Sequence, residues 1–309
     1  MYIKFKREEI KKRYGGNVDI PPINSVSALN NPKSNSLIFC IKYKDEYLEL
    51  LSSVSESVIL IDKQAEIPIE ISKFNCVIKV INPRLEYIYI LNNFVISKKS
   101  SYSSNSYYID PSSIVDETCI IEPFVFIEKN VKIGKFCHLK SGARICSNTI
   151  IGDNCVIGSN SVVGDQGFGI ERDNKEEWQR VPFDGKPMKM PHYGGVVICD
   201  YVEIGALNTV VSGAIEPTII GDYVKTDDHV HIAHNCKIDS GVLITAAAEL
   251  SGGVSVGKNS WIGPNASIFQ QNKIGKKCLI GIGANVFKDV EDGEVYMGLP
   301  AKKIIKDNK

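Results

Sequence analysis

From Ile109 onward an aliphatic residue returns at every sixth position: Ile109, Val115, Ile121, Ile127, Ile133, Leu139, Ile145, Ile151, Ile157 and Val163. A second run holds Ile198, Ile204 and Val210. After a shift of four residues a third begins at Ile220 and continues through Thr226, Ile232, Ile238, Ile244, Leu250, Val256, Ile262, Ile268, Ile274, Ile280 and Val286, with Thr226 its one departure. A period of six matches neither the 3.6-residue turn of an α-helix nor the simple alternation of a flat strand. It predicts a hexapeptide solenoid, in which three short strands make one triangular coil of about 18 residues. The chain therefore reads as mainly β: a left-handed parallel β-helix of about eight coils over residues 109–290.

Two positions before each aliphatic residue the side chain is small or β-branched, as at Ser113, Cys119, Val125, Cys137, Ala143, Cys155, Ser161, Cys236, Ala248, Ser260 and Cys278. A narrow prism needs a small neighbour beside each large one. Five of the nine cysteines fall in this slot, which gives them a packing role. Glycine often follows the aliphatic residue, as in Gly134, Gly152, Gly158 and Gly263, and reads as relief of a tight corner.

The series breaks between Val163 and Ile198, where a polar, glycine-rich stretch with Trp178 reads as a loop extruded over 165–197; long ordered loops on a scaffold are commonly binding elements. A smaller slip at Ala214–Thr218 reads as a corner insertion. Residues 1–108 do not follow the hexad rule. A helical opening at Arg7–Arg13, three short apolar runs and a helix near Pro83–Val95 predict a small N-terminal α/β domain, joined to the solenoid by the serine-rich KKSSYSSNSYY. Residues 291–309 read as a C-terminal tail.

Lys+Arg and Asp+Glu balance at 36 each, which argues against nucleic acid or an anionic membrane surface as partner. No apolar run is long enough for a membrane span, and the first residues lack the apolar core of a secretory signal. A cytoplasmic protein is expected. The cysteines form no C-x-x-C pair, so neither a zinc ribbon nor a redox motif is expected, and no metal site.

With the repeat, the loop and the segment DDHVHIAHNCKIDSG in hand, the chain resembles the UDP-3-O-acylglucosamine N-acyltransferases of lipid A synthesis and related hexapeptide nucleotide-sugar N-acyltransferases. The resemblance rests on SLIFCIKYKDEYLELL, SVILIDK and INPRLEY in the N-terminal domain. In the solenoid it rests on GDQGFGI, VVICDYVEIGALNTV and VKTDDHVHIAHN. It implies a homotrimer with active sites in grooves between subunits. Three departures qualify it: Phe39-Cys40-Ile41-Lys42-Tyr43 lacks an asparagine that helps hold uridine in the lipid A enzymes, Gln271 stands where they have histidine, and the ending Gly298-Leu299-Pro300-Ala301 looks more like that of sugar acetyltransferases using acyl-coenzyme A.

The chemistry follows from the residues. An amine attacking a thioester must lose a proton, and a positioned imidazole is a suitable acceptor. Histidines occur at 138, 192, 229, 231 and 234. His234 falls past a corner, where its side chain should face outward, and the resemblance assigns the base to this same IAHN position. Asp227 or Asp228 would orient the imidazole, with Asp227 matching the family's acidic position. Asn235 would cap the turn or touch the substrate, and His229 and His231 read as substrate contacts or surface residues. Gly252, one coil beyond His234, is the expected oxyanion donor. The pantetheine arm is expected along Gly252, Asn265, Gln270, Gln271 and Gly283. Phe39 and Tyr43 are candidates to stack on a nucleotide base, and Gly167-Phe168-Gly169 with Trp178 to frame the sugar.

The expected reaction is transfer of a short acyl group from acyl-CoA to the amine of a nucleotide-linked amino sugar, for surface polysaccharide. The alternative is the lipid A N-acyltransferase itself, fed by acyl carrier protein. Two readings of other classes remain: a zinc-dependent hydratase using His229 and His234, for which no third ligand lies on a neighbouring coil, and a non-catalytic solenoid binding protein.

Overall fold

The structure, a computed structural model, describes residues 4–16, 18–41, 43–96, 106–172, 186–298 and 302–303. The chain divides into two units, Met1–Ser100 and Ser101–Lys309.

The second unit is a parallel β-helix. Its three faces are sheets of nine, eight and ten strands, most of them two residues long. Successive coils pair in parallel and in register: Ile127 lies beside Ile145, Ile145 beside Val163, and Ile232 beside Leu250. The sixth-position aliphatics point inward and form one continuous core, with Ile127, Ile145, Ile157, Ile232, Leu250 and Ile268 fully buried. Each such side chain contributes about 2 kcal/mol by leaving water, and truncating one to alanine would cost about 2–5 kcal/mol.

The polar exception has a cause. Thr226 Oγ1 accepts from Gly205 N at 3.0 Å and from Asn208 Nδ2 at 2.9 Å. Asn208, itself buried, also donates to Asp227 O and accepts from Val230 N. A polar rung of the prism is thus hydrogen-bonded on every side, as burial requires.

The small slot carries a rule that explains its composition. Ser113, Ser161 and Ser260 donate from Oγ to the carbonyls of Glu128, Gly205 and Gly275 on the next coil. Cys119, Cys137, Cys155 and Cys278 donate from Sγ to Gly134, Gly152, Cys199 and Glu291 in the same way, each at 3.0 Å. Serine and cysteine interchange here because both are small donors facing the same carbonyl.

The glycines after the aliphatic residues act differently from the expectation. Gly134, Gly152, Gly158 and Gly263 are not the corner residues with positive φ. They are needed because coils approach closely: a Cβ on Gly158 would lie 2.1 Å from Gly205 O, and one on Gly263 would lie 2.6 Å from Gly281 C. The left-handed corner conformation falls mainly to other residues, among them Asn130, Asn148, Asn154 and Asn160, since asparagine tolerates that region better than most side chains.

The extruded segment begins after Val162–Asp165 and rejoins the prism at Val196–Ile198, slightly inside the expected limits; Ile170–Arg172 and Pro187–Lys189 pair antiparallel at its base. The prism also runs past residue 290, since Val295–Met297 pairs in parallel with Leu279–Ile280.

The first unit is a four-stranded parallel sheet, Ser25–Val26, Ser36–Cys40, Val58–Asp62 and Cys76–Val80 in that order. Its helix Pro83–Phe94 starts where Asn82 Oδ1 accepts from Leu85 N, with proline at the first turn, a favourable pairing of cap and fixed φ. Among the described residues no helix is long and apolar enough to cross a membrane.

Candidate active site

His234 leaves the strand His231–Ile232 at the corner leading to Lys237–Ile238. Its carbonyl accepts from Gly253 N at 2.9 Å, and Gly252 O accepts from Gln271 N at 2.9 Å. Residues 234, 252 and 270 therefore form one column along this edge. A Cβ on Gly252 would lie 2.7 Å from both Cε1 and Nε2 of His234, so the imidazole occupies space that only a glycine leaves open. Among the described residues the Gly252 N–H donates to no backbone carbonyl.

Asn235 adopts φ 59°, and its side chain ties the corner together. Its Oδ1 accepts from Ala214 N at 3.1 Å and its Nδ2 donates to Glu216 O at 3.0 Å. Those two partners fix which end of the amide is oxygen. Oδ1 also lies 3.1 Å from His234 Nδ1. An amide oxygen only accepts, so Nδ1 carries a proton, and in the neutral imidazole Nε2 keeps its lone pair. That is the tautomer a general base needs, with Nε2 on the Gly252 side.

A fifth histidine, given no role from the sequence, completes this corner. His192 is buried, and its ring stands edge-on to that of His234 with centroids 5.2 Å apart. Its Nδ1 lies 2.9 Å from Met190 O. Its backbone exchanges two hydrogen bonds of 2.7 Å with the Gln166 side chain. The GFG motif makes room for it: a Cβ on Gly167 would meet His192 Nε2 at 2.7 Å, and one on Gly169 would meet Cε1 at 3.2 Å. Phe168 between them is 86% exposed, free to meet a ligand. The signal for His192 lies in a spatial closure between loop and coil that spacing along the chain does not reveal.

Other expected residues occupy a different corner. Ala247 N donates to Asp228 O, Asn265 N to Ala246 O and Gly283 N to Pro264 O, so Asp228, His229, Asn265 and Gly283 belong to one column, apart from that of His234. Asp227 spends a carboxylate oxygen on Asp228 N at 2.8 Å, and within one chain the partner of His234 Nδ1 is Asn235, not Asp227. His229 is exposed and His231 half-buried on the outer face. A groove of about 320 Å³ opens there, lined by Lys140, Ser159, Glu203, Ala206, Thr226 and Asp228 among others. Gln270 and Gln271 are exposed on the His234 side.

Phe269 and Phe287, absent from the expectations, continue that side. Both are half exposed, with centroids 6.2 Å apart. Burial pushes the Cys236 thiol up to about 12, which disfavours its thiolate form.

In the first unit, Phe39 packs against Tyr87 with centroids 4.8 Å apart, whereas Tyr43 packs with the cluster around Ile38 and Leu51. The two rings lie in separate clusters. Trp178 falls outside the described residues. Among the described residues no three His, Cys, Asp or Glu side chains converge as a metal site.

Curated UDP-3-O-acylglucosamine N-acyltransferases from Campylobacter curvus and a Caulobacter species are 35% and 37% identical over 114 and 115 residues, covering 37% of this chain and 36% and 34% of those proteins. The chain is similar to hexapeptide-repeat nucleotide-sugar acyltransferases. It spans about a third of the length of the curated relatives it matches. The family model of the GMPPB C-terminal domain matches residues 103–217. Among solved structures, a UDP-N-acetylglucosamine acyltransferase from Campylobacter jejuni is 28% identical with a TM-score of 0.51, covering 64% of this chain and 74% of that one. Its counterpart from Bacteroides fragilis, 23% identical, has a TM-score of 0.56 over 66% of this chain and 74% of that one, a likeness of fold.

Proposed function

We propose that this chain is an N-acyltransferase that moves an acyl group from a pantetheine thioester to the amine of a nucleotide-linked amino sugar. The observation that carries the reading is the column of His234 and Gly252, with Nδ1 of His234 committed to Asn235. The amine nitrogen attacks the thioester carbonyl while Nε2 of His234 takes its proton. The oxygen of the tetrahedral intermediate accepts from the Gly252 N–H, the kind of preorganised donor that stabilises developing charge. Collapse breaks the carbon–sulfur bond, and the leaving thiolate takes the proton back from Nε2. The products are an amide and a free thiol, and His234 is returned to its starting state.

The relatives' names favour the lipid A type of acceptor, a glucosamine carried on UDP, over the acetyl-CoA reading. Phe269 and Phe287 support an acyl chain longer than acetyl. They extend the edge beyond Gly252 with exposed apolar surface, onto which methylenes would be buried at about 0.8 kcal/mol each. A homotrimer accounts for the two separate corners. A groove between copies would set the column of Asp228, His229, Asn265 and Gly283 in one subunit against that of His234 in its neighbour. Asp227 would then face the base across the boundary.

Mass spectrometry of products from a panel of nucleotide amino sugars tests the reading, with acyl-CoA and acyl-loaded carrier protein offered separately. The expected result is an amide on a UDP-linked amino sugar; absence of transfer from either donor class to any amino sugar would refute it. Mixing His234→Ala and Asp227→Ala chains tests the shared groove. Mixed trimers should regain activity if the two residues act across a boundary, and should stay inactive if they act within one chain.

A further inference from the structure

Within that reading, His192 stands out as a buried polar group whose bonding is incomplete. It is 3% exposed. Its Nδ1 faces the carbonyl of Met190 at 2.9 Å, and a carbonyl only accepts, so the proton sits on Nδ1. In the neutral imidazole Nε2 is then the lone-pair nitrogen, and that atom is buried with no hydrogen-bond partner. Orphaned buried acceptors are uncommon and costly. This one is held with unusual care. Gln166 clamps the residue's backbone from both sides, and glycines at 167 and 169 leave the space the ring fills. The orphan belongs to the ring in edge contact with His234.

We propose that His192 is the positioning residue for the base. As an Nδ1–H imidazole clamped by the extruded segment, it holds the His234 ring over Gly252. It also keeps an electron-rich, hydrogen-free nitrogen in the neighbourhood of the ring on which positive charge develops during transfer. Asn235 fixes His234 from the coil side and His192 fixes it from the segment side. The imidazole is thereby confined to the orientation in which its Cε1–Nε2 edge fills the space beside Gly252. The segment that frames the acceptor and the base that deprotonates it are in this way a single mechanical unit. The role follows from contact and tautomer, and it needs no direct contact between His192 and substrate.

Two variants separate this role from simple packing. His192→Phe keeps a ring of similar shape without nitrogens, and His192→Asn keeps a donor for Met190 without the ring. In the full chain both should lower kcat about tenfold to hundredfold, the scale on which small misplacements of reacting groups act, with KM for both substrates within about twofold of the parent. Variants that keep kcat within about twofold, or lose activity through KM alone, would overturn the proposal. A second readout needs no turnover and so stands apart from the function proposed above. Long-range 1H–15N spectra of the ligand-free parent should show His192 as the Nδ1–H tautomer, and the His234 ring signals should move in His192→Phe. A His192 protonated on Nε2, or His234 signals unchanged by the substitution, would sink the inference even if the chain transfers acyl groups.

Discussion

The imidazole of His234 fills the space in which any side chain at position 252 would stand: a Cβ there would be 2.7 Å from its Cε1 and Nε2. Base and expected oxyanion donor are therefore mutually dependent, and Gly252→Ala displaces the ring without removing the amide. The displacement should lower kcat about a hundredfold, and because Asn235 and the buried His192 hold the ring from either side, it should also lower the melting temperature. Steady-state kinetics beside a thermal melt would check this. A fully active Gly252→Ala enzyme would separate the two residues functionally.

Asn235 carries both order and chemistry. Asn235→Ala removes the partner of His234 Nδ1 and two bonds to the backbone of Ala214 and Glu216, and places alanine at a positive φ. The expected cost is about 1–3 kcal/mol of stability, with a loss of kcat beyond what unfolding explains. Denaturant titration paired with kinetics under conditions where the variant is fully folded would resolve the two effects.

The core thiols set an alkaline limit. Burial pushes Cys236 and Cys146 up to about 12 and Cys76 to about 11, from a starting value of 9.0. A group whose pKa is raised on folding stabilises the fold below its unfolded value and loses that contribution as pH rises toward the folded one. Stability should thus fall between pH 9 and about 12. Cys236→Ala should flatten part of that fall, read as melting temperature against pH. Below pH 9 the buried Cys146 and Cys236 should resist alkylation until the chain unfolds.

Phe269 and Phe287 make a prediction about donor length. Removing both rings should reduce kcat/KM for a long acyl thioester about tenfold relative to a short one, given about 0.8 kcal/mol for each methylene that loses its apolar contact. Equal losses for both donors would place the acyl chain elsewhere.

Much of the solenoid was legible because its signal is periodic: every inward residue from Ile127 to Val286 reports the same geometry. The column of residues 234 and 252 followed from that period alone. The corner glycines were misread because a close approach between coils, as at Gly158, leaves the same residue type as a left-handed turn. Asp227, expected to orient His234, does not reach it within one chain. Asp227 and His234 are near in sequence but stand on successive corners, and Asn235 reaches Nδ1 from the adjacent position. His192 was invisible as a site residue because it returns to the edge through a segment that departs from the repeat. Phe269 and Phe287 were passed over because single aromatics on a solenoid carry no periodic mark.

The most direct test is the single-turnover rate of His234→Ala with a UDP-linked amino sugar and an acyl thioester, products followed by mass spectrometry, in protein shown to be folded. Loss of the base should slow amide formation about a hundredfold to ten-thousandfold while the parent chain forms it. A His234→Ala protein that makes the amide at the parent's rate would contradict the account.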